Sequence, residues 1–257
     1  MSAASAWLSY EKRLVPRLAA PFADDITAAL AASLPGRVVI DLAAGTGATA
    51  EAVTKAQPRS FIVSIDLDVT ALRQGRSLRR HRGRAVVGDA TRIPVRDGAV
   101  AALVCQQGLQ FVPDVGAACS EAYRVLQPGG RLVALTWAGL DEMCLFRALA
   151  ELADTVGVGP AFHDPCSLEP DRLTDALGRA GLVVSSQRRI GKQLTMIESR
   201  AQHADLLAHW VEAADNALLA PWRVADQVTR EGWVDHFGEG LARGRGQLTA
   251  VLTVAHR

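Results

Sequence analysis

Five short runs of β-branched and apolar residues alternate with helix-like segments between residues 37 and 137, and this alternation constrains the fold most. The runs are RVVIDLA (37–43), FIVSIDL (61–67), RAVVGD (84–89), VAALVCQ (100–106) and RLVALTW (131–137). Strands of a parallel sheet carry nearly continuous apolar runs, because crossover helices cover both faces of the sheet. The pattern therefore predicts an α/β fold with a doubly wound, mostly parallel, Rossmann-like sheet.

The rest of the chain predicts further helices and two more strands. The strand-like runs LVVSSQRRI (182–190) and LTAVLTVA (248–255) bring the expected sheet to about seven strands. No linker or repeat divides the chain, so we expect a single domain over 1–257. Its expected parts are N-terminal helices (1–35), a cofactor-binding core (36–137), the second half of that core (138–198), a helical lid (199–243) and the last strand (247–257).

Composition and charge narrow the classes of partner. The chain has 28 basic and 27 acidic residues and a net charge of +1, so a nucleic-acid partner is disfavoured and a small molecule is expected. Four cysteines lack paired C-x-x-C spacing, which argues against a metal site or a disulfide framework. No apolar stretch approaches a membrane span or a signal segment. We expect a cytoplasmic protein, and a homodimer is left open.

A glycine-containing loop follows the first predicted strand. Residues 41–47 read DLAAGTG, and glycines there allow a tight turn and a close approach of the backbone to a ligand. Extended to Ala50, the segment spells G-x-G-x-x-A, a dinucleotide fingerprint. Asp66 lies 19 residues after Gly47, where a ribose-binding acid is expected. Taken alone, this stretch is compatible with NAD or with another adenosine-bearing cofactor.

Two further acids favour a cationic cofactor. Asp41 ends the first strand directly before the loop, where it would repel a pyrophosphate and attract a positive charge. Asp89 closes the third strand, where its side chain and the following amide could read an adenine edge. Three acids at the ends of successive strands suit S-adenosylmethionine. An NAD-dependent oxidoreductase stays as an alternative, although no Tyr-x-x-x-Lys pair occurs.

Several motifs together resemble the class I S-adenosylmethionine-dependent methyltransferases, the group that includes ubiquinone and menaquinone biosynthesis enzymes. VIDLAAGTG is similar to the first motif of that family, SIDLDVTAL to its ribose motif and GDATRIPVRDGAV to its adenine motif. CQQGLQFVPD and RVLQPGGRLVAL resemble the fourth strand with its loop and the approach to the fifth. The resemblance covers about residues 36–137, and it departs at Ala43, commonly glycine, and Asp68, commonly serine.

The resemblance implies a set of residues at the methionine end of the cofactor. The loop that holds this end consists of Asp41, Ala43, Gly45 and Gly47. The main chain of Gln106 and Gln107 is expected beside the ammonium group, Leu109 near the transferring methyl group, and Tyr10 over the cofactor. Three glutamines in LVCQQGLQFV (103–112), which would be out of place in a core strand, would then mark where the strand leaves the core.

The resemblance also implies residues for the adenosine end and for the reaction. Asp66 is expected to accept hydrogen bonds from the ribose hydroxyls, Leu67 to pack on the adenine face, and Asp89 with Ala90 to read the base edge. The implied function is methyl transfer to a small-molecule acceptor by in-line displacement in a water-excluded site. A non-methylating enzyme that binds the same cofactor is the alternative within the family.

Residues for the acceptor side are less constrained by the sequence. His163 is the candidate general base, because it lies in the loop region after the fifth strand, near the edge of the sheet where ligands bind. A solvated loop histidine is the competing interpretation. His209 and Trp210 could line an acceptor pocket or pack within the lid, and Trp137 could wall the pocket or belong to the core.

Overall fold

The computed structural model describes residues 3–30, 37–78, 80–81, 83–159, 165–194, 199–213 and 218–257. Seven strands form one sheet in the order β3-β2-β1-β4-β5-β7-β6. The strands are β1 (Val38–Leu42), β2 (Phe61–Asp66), β3 (Arg84–Val87), β4 (Val100–Gln106), β5 (Leu126–Trp137), β6 (Val183–Gln193) and β7 (Gln247–His256). All pairs from β3 to β5 are parallel, whereas β7 is antiparallel to β5 and β6. The expected α/β, mostly parallel sheet is confirmed.

Ten α-helices lie in the part of the chain that the structure describes. They are α1 (Ala3–Arg13), α2 (Ala23–Leu30), α3 (Ala48–Ala56), α4 (Val69–Ser77), α5 (Val115–Val125), α6 (Cys144–Val156), α7 (Pro170–Arg179), α8 (Arg200–Ala213), α9 (Leu219–Val224) and α10 (Gln227–Arg243). Aspartate residues are the N-caps of α4, α5 and α10. The side chain of each accepts a hydrogen bond from a backbone amide in the first turn of its helix. None of the helices within the described ranges is long and apolar enough to cross a membrane.

The N-terminal segment changes its helical form at its two prolines. A π-helical turn (Val15–Ala19) contains Pro16, and a 3₁₀ turn (Ala20–Phe22) contains Pro21. Proline lacks an amide proton and clashes with the preceding turn, so a continuous α-helix is disfavoured at both sites. We call this segment, residues 14–22, the N-terminal cover. Its irregular helical turns leave the carbonyl oxygens of residues 18 and 19 available to side chains elsewhere.

The sheet is buried on both faces. Neighbouring residues of one strand enter different cores: Val39 packs on the face covered by α2, α3, α6 and α10, and Ile40 on the face covered by α5 and α7. Trp137 belongs to the first of these cores, where its ring lies 5.7 Å from those of both Phe22 and Phe146. The core interpretation of Trp137 therefore matches the structure.

The helical block α8–α10 lies between β6 and β7, as the sequence pattern predicted. Helix α8 contacts α10 within this block and α1 outside it, and α10 also contacts α6. Buried Leu207 and Phe237 contribute to the core on that face of the sheet. The block therefore connects the N-terminal helix to the body of the fold.

Candidate active site

A cavity of about 810 Å³ opens at the carboxyl edge of the sheet, beside the ends of β1, β2, β3 and β4. The crossover connections of β1 and β4 diverge at this point, which is where open α/β sheets bind ligands. The predicted residues that line it are Tyr10, Ala43, Gly45, Asp66, Leu67, Asp89, Ala90, Gln106 and Gln107. The fold therefore brings segments that lie far apart in sequence into one wall.

The loop between β1 and α3 needs unusual backbone angles. Ala43, Gly45 and Gly47 have φ angles of +54°, +53° and +83°, in the left-handed region. A Cβ atom on Gly47 would lie 2.5 Å from Cε1 of His81, so that position requires glycine for space as well as for conformation. Ala43 adopts a conformation that costs a residue with a Cβ roughly 1–2 kcal/mol.

Asp66 is fixed at the end of β2 by two backbone amides. The amide of Gly45 donates to Oδ2 over 2.7 Å, and that of Asp68 donates to Oδ1 over 2.8 Å. Burial raises the pKa of Asp66, and these two hydrogen bonds oppose that rise. Each carboxylate oxygen has a second lone pair. The side chain can therefore still accept hydroxyl protons from a ligand in the cavity.

Leu67 and Asp89 form the adjoining part of the wall. The side chain of Leu67 is 71% exposed, which is unusual for a leucine next to a strand. Oδ1 of Asp89 accepts from the amide and the hydroxyl of Thr91, both over 2.8 Å, and these bonds lower the pKa of Asp89. Among the described residues no hydrogen bond uses its Oδ2. An apolar surface beside a free carboxylate oxygen suits a flat base with an amino group.

The two glutamines after β4 hold the N-terminal segment with their side chains. Nε2 of Gln107 donates to the carbonyl of Leu18, and Nε2 of Gln106 to that of Ala19, each over 2.7 Å. Oε1 of Gln106 accepts from the hydroxyl of Thr49 over 2.8 Å. The sequence pattern pointed to the main chain of these residues, and it missed the role of their side chains.

Glu11 on α1 is a functional neighbour that the sequence analysis missed. It is buried, accepts a hydrogen bond from the Thr46 hydroxyl of the glycine loop, and pairs with Arg80. On the same helix, Nε1 of Trp7 donates to Asp68 over 2.8 Å. The signal was present: Trp7, Glu11 and Leu14 follow helical spacing, so an acid falls on the buried face of α1. These contacts hold α1 across the cavity.

Tyr10 on α1 lies beside Trp7 at the cavity. Its ring packs edge-on against Trp7 at 5.3 Å, and it lines the cavity. Burial, together with the charges of Glu11 and Asp66, raises the pKa of Tyr10 to about 12. The phenol is therefore neutral at physiological pH and offers an apolar ring and one hydroxyl group to the cavity.

Three predicted residues lie behind the wall rather than on it. Asp41 is 1% exposed and accepts the amide of Ala50, while its Oδ2 has no partner among the described residues. Burial, with a contribution from Asp66, raises the pKa of Asp41 to about 8. Gly47 supports the loop at His81, and Leu109 is buried in the core. His163 lies outside the described residues.

Away from the glycine loop and the acids at the strand ends, much of the cavity lining is apolar. It includes residues from the N-terminal segment, the loop after β4, the loop before α7, and helix α8, namely Leu14, Val15, Phe111, Val112, Pro113, Pro165, His209 and Trp210. Trp210 also packs against Phe146 with ring centroids 5.3 Å apart. The cavity thus combines polar groups at the strand ends with a mostly apolar lining, in which His209 is the one histidine among the described residues that form it.

Comparison with known proteins agrees with this geometry. The family model described as a methyltransferase domain matches residues 40–134. Demethylmenaquinone methyltransferase from Mycobacterium marinum is 36% identical over 161 residues, which cover 57% of this chain and 68% of that protein. Three further demethylmenaquinone methyltransferases are 34–36% identical, and the match spans only 56–64% of their length.

Solved structures extend the similarity to nearly the whole chain. Geranyl diphosphate C-methyltransferase from Streptomyces coelicolor A3(2) has a TM-score of 0.57 at 21% identity, covering 94% of this chain and 79% of that one. The [4+2]-cyclase SpnF has a TM-score of 0.59 at 17% identity, covering 92% and 80%. These likenesses show a shared fold. The sequence matches go further, and they show that the chain belongs to the class I S-adenosylmethionine-dependent methyltransferase family.

Proposed function

We propose that the chain binds S-adenosylmethionine and transfers its methyl group to a small-molecule acceptor. One observation carries the proposal: a single cavity joins the glycine loop, Asp66, Leu67 and Asp89 to an apolar region large enough for a second molecule. When bound, the cofactor supplies a methyl group that its sulfonium makes electrophilic. The protein must then place the acceptor in line and exclude water.

The adenosine part of the cofactor would bind at the ends of β2 and β3. Asp66 would accept hydrogen bonds from both ribose hydroxyls with the lone pairs that the backbone amides leave free. Leu67 would be covered by the adenine face, which would explain its exposure. Asp89 and the amide of Ala90 would read the amino group and ring nitrogen of the base.

The methionine part would lie along the glycine loop under the N-terminal cover. The main chain of Ala43, Gly45 and Gln106 would surround the ammonium group, and Tyr10 would close the site from α1. Asp41 would contribute from behind the loop, because a nearby cation favours its ionised form. The cover held by Gln106 and Gln107 would keep water away from the reacting groups.

The acceptor would occupy the apolar part of the cavity. Aromatic and proline side chains there favour a flat, mostly apolar compound over a highly charged one. The demethylmenaquinone methyltransferases among the relatives make quinone-type compounds the first acceptors to test. His163 stays the predicted general base for an acceptor that needs one.

A ligand comparison tests this proposal. We expect S-adenosylhomocysteine to raise the melting temperature and NADH to leave it unchanged, since a ligand that binds only the folded state stabilises it. Stabilisation by NADH alone would favour an oxidoreductase. Transfer of a tritiated methyl group to reduced 2-prenyl-1,4-naphthoquinone then tests the reaction. Product formed without consumption of the methyl donor would favour the non-methylating alternative.

The remaining predictions concern the whole protein. We propose that residues 1–257 act as one domain, with residues 199–243 as its lid. A cytoplasmic location is compatible with four cysteines that are all buried and free. The net charge of +1 favours a small-molecule acceptor over a nucleic acid. A homodimer stays a prediction, which size-exclusion chromatography with light scattering can test.

A further inference from the structure

Among the described residues that line the cavity one is a histidine, and a chain of hydrogen bonds holds its ring in place. His209 on α8 is 5% exposed and lines the cavity. Its Nδ1 lies 2.6 Å from Oγ of Ser9 on α1. This contact crosses between two helices that border the cavity, so it fixes the plane of the ring relative to the cavity wall.

The neighbours of Ser9 determine which way its hydroxyl proton points. NH1 of Arg13 donates to Oγ of Ser9 over 2.8 Å, and Asp205 holds Arg13 through Nε at 2.8 Å to both carboxylate oxygens. A guanidinium has only donors, so Ser9 accepts from Arg13. If Ser9 also accepted from an Nδ1–H of His209, its own proton would have no acceptor among the described residues, so Ser9 donates to Nδ1. His209 then carries its own proton on Nε2.

His209 is also uncharged in this environment. Burial and the positive charge of Arg13 lower the pKa of His209 to about 4, and the negative charge of Asp205 opposes the shift. Among the described residues, Arg13 and Asp205 are the charged groups that shift the pKa of this ring. The imidazole is therefore a neutral group near pH 7, with one acceptor nitrogen already used by Ser9 and one N–H group left over.

The cavity that His209 lines is mostly apolar. Its apolar lining includes Leu14, Phe111, Val112, Pro113, Pro165 and Trp210. No hydrogen bond among the described residues uses Nε2 of His209. A lone donor in an apolar wall gains most from a ligand oxygen, because burying it without a partner costs free energy.

We propose that Nε2–H of His209 donates a hydrogen bond to an oxygen of the methyl acceptor, and so selects mostly apolar molecules with a carbonyl or enolate oxygen. This inference rests on the proposed function. In it His209 binds and orients the acceptor as a donor, and it does not remove a proton. Ser9, Arg13 and Asp205 act as positioning residues, since they set the tautomer of the ring.

The tautomer can be measured without any ligand. Long-range ¹H–¹⁵N spectra of protein labelled at histidine, with His209 assigned from the His209→Gln variant, should show an unprotonated Nδ1 between pH 5.5 and 8. The Ser9→Ala variant should lose this fixed state, because the donor to Nδ1 is gone. A protonated Nδ1, or a doubly protonated ring in this range, would overturn the inference.

Ligand selection can be tested with a matched pair of probes on the complex with S-adenosylhomocysteine. 1-Tetralone has a carbonyl acceptor and no donor, and tetralin has the same rings without the oxygen. We expect 1-tetralone to bind about fivefold more tightly, as one net hydrogen bond allows. His209→Gln keeps an N–H group in a similar place and should keep the preference. His209→Leu should abolish it.

Three outcomes are then distinguishable. Equal binding of the two probes to the wild-type complex contradicts the role of His209, while binding of S-adenosylhomocysteine still supports the proposed function. If both His209→Gln and His209→Leu lose the preference while their cofactor affinity is unchanged, Nε2 of His209 does not act as a hydrogen-bond donor to the probe. Either Nε2 is an acceptor or the ring is structural, and this outcome contradicts the inference. Failure of the wild type to bind S-adenosylhomocysteine removes the proposed function itself.

Discussion

The side-chain amide of Gln107 lies 2.7 Å from the carbonyl oxygen of Leu18 and joins the end of β4 to the bent N-terminal segment. Gln106 makes the equivalent bond to Ala19. Gln107 also has a φ angle of +56°, a conformation that non-glycine residues rarely adopt. Strained backbone of this kind persists where the surrounding structure holds it, often at functional sites. The two glutamine side chains at the end of β4 therefore hold the N-terminal cover in place beside the cavity.

Replacing Gln107 by alanine should loosen that cover. The Gln107→Ala variant loses the side-chain bond to Leu18. We expect its affinity for S-adenosylhomocysteine to fall by about five- to tenfold, which corresponds to one lost hydrogen bond. Titration calorimetry measures the change. Gln227→Ala is the control, because it removes an exposed glutamine bond to Glu231 on α10, and neither residue lines the cavity. Equal affinities of the wild type and Gln107→Ala would show that the tether is unimportant for binding.

Ala43 and Gly108 are expected to be energetically coupled. A Cβ atom on Gly108 would lie 2.5 Å from Cβ of Ala43 and 2.9 Å from Sγ of Cys105. Gly108→Ala should therefore destabilise the protein by about 1–3 kcal/mol through overpacking. Adding Ala43→Gly should recover part of the loss, since it removes one of the two clashes. Denaturant unfolding of both single variants and the double variant gives the coupling free energy.

Gly191→Ala is the matched control for that cycle. A Cβ atom on Gly191 would have no neighbour within 4 Å, so this change should alter stability by less than about 1 kcal/mol. Additive effects of Ala43→Gly and Gly108→Ala would contradict the close packing of the loop against the end of β4.

Asp41 should make stability depend on pH in an unusual direction. Burial raises the pKa of Asp41 to about 8 in the folded state, from an ordinary 3.8. Between pH 3.8 and about pH 8 the side chain of Asp41 is protonated in the folded state and ionised in the unfolded state. The contribution of Asp41 to the free energy of unfolding therefore falls as the pH rises through this range. Unfolding free energies at pH 5 and pH 8 should therefore differ less in Asp41→Asn than in the wild type. An unchanged pH dependence in that variant would refute a neutral Asp41.

The comparison needs a control carboxylate. Asp226 caps α10 through the amide of Thr229, and this bond lowers the pKa of Asp226. It is ionised in both states above pH 5, so Asp226→Asn should change stability equally at pH 5 and pH 8.

Glu11 should contribute strongly to stability because it is buried between partners. Glu11→Ala removes the acceptor of the Thr46 hydroxyl and one partner of Arg80, which keeps Glu51 at 2.9 Å. We expect a loss of about 3 kcal/mol in unfolding free energy, as when a buried ion pair is broken. Glu239→Ala, which removes an exposed partner of Arg243, should cost less than about 1 kcal/mol. Similar losses in both variants would mean that α1 is not anchored through Glu11.

The strands and the positions of the acids could be predicted because they depend on local patterns. Apolar runs located all seven strands of the described sheet. Strand ends place Asp66 and Asp89 at one edge of the sheet whatever the details of packing. Contacts between distant segments left no comparable signal: Gln106 and Ala19 are 87 residues apart, and Gln107 and Leu18 are 89 apart.

Two aspartates show how tertiary context changes a reading from sequence. The strand pattern suggested that Asp41 attracts a positively charged part of the cofactor, and the structure places its side chain in the buried region behind the loop. Asp68 looked like a departure from the usual serine, and it proves to cap α4 and to accept from Trp7. The third glutamine, Gln110, is buried with an amide that has no partner among the described residues, and nothing in the structure explains it.

The most direct test of the account is titration of S-adenosylhomocysteine into the wild type and Asp66→Ala, with Asp226→Ala as the control that also loses a carboxylate bonded to a backbone amide. The account predicts micromolar binding to the wild type and to Asp226→Ala, and greatly weakened binding to Asp66→Ala. Absence of binding to the folded wild type, or equal affinity in Asp66→Ala, would contradict it.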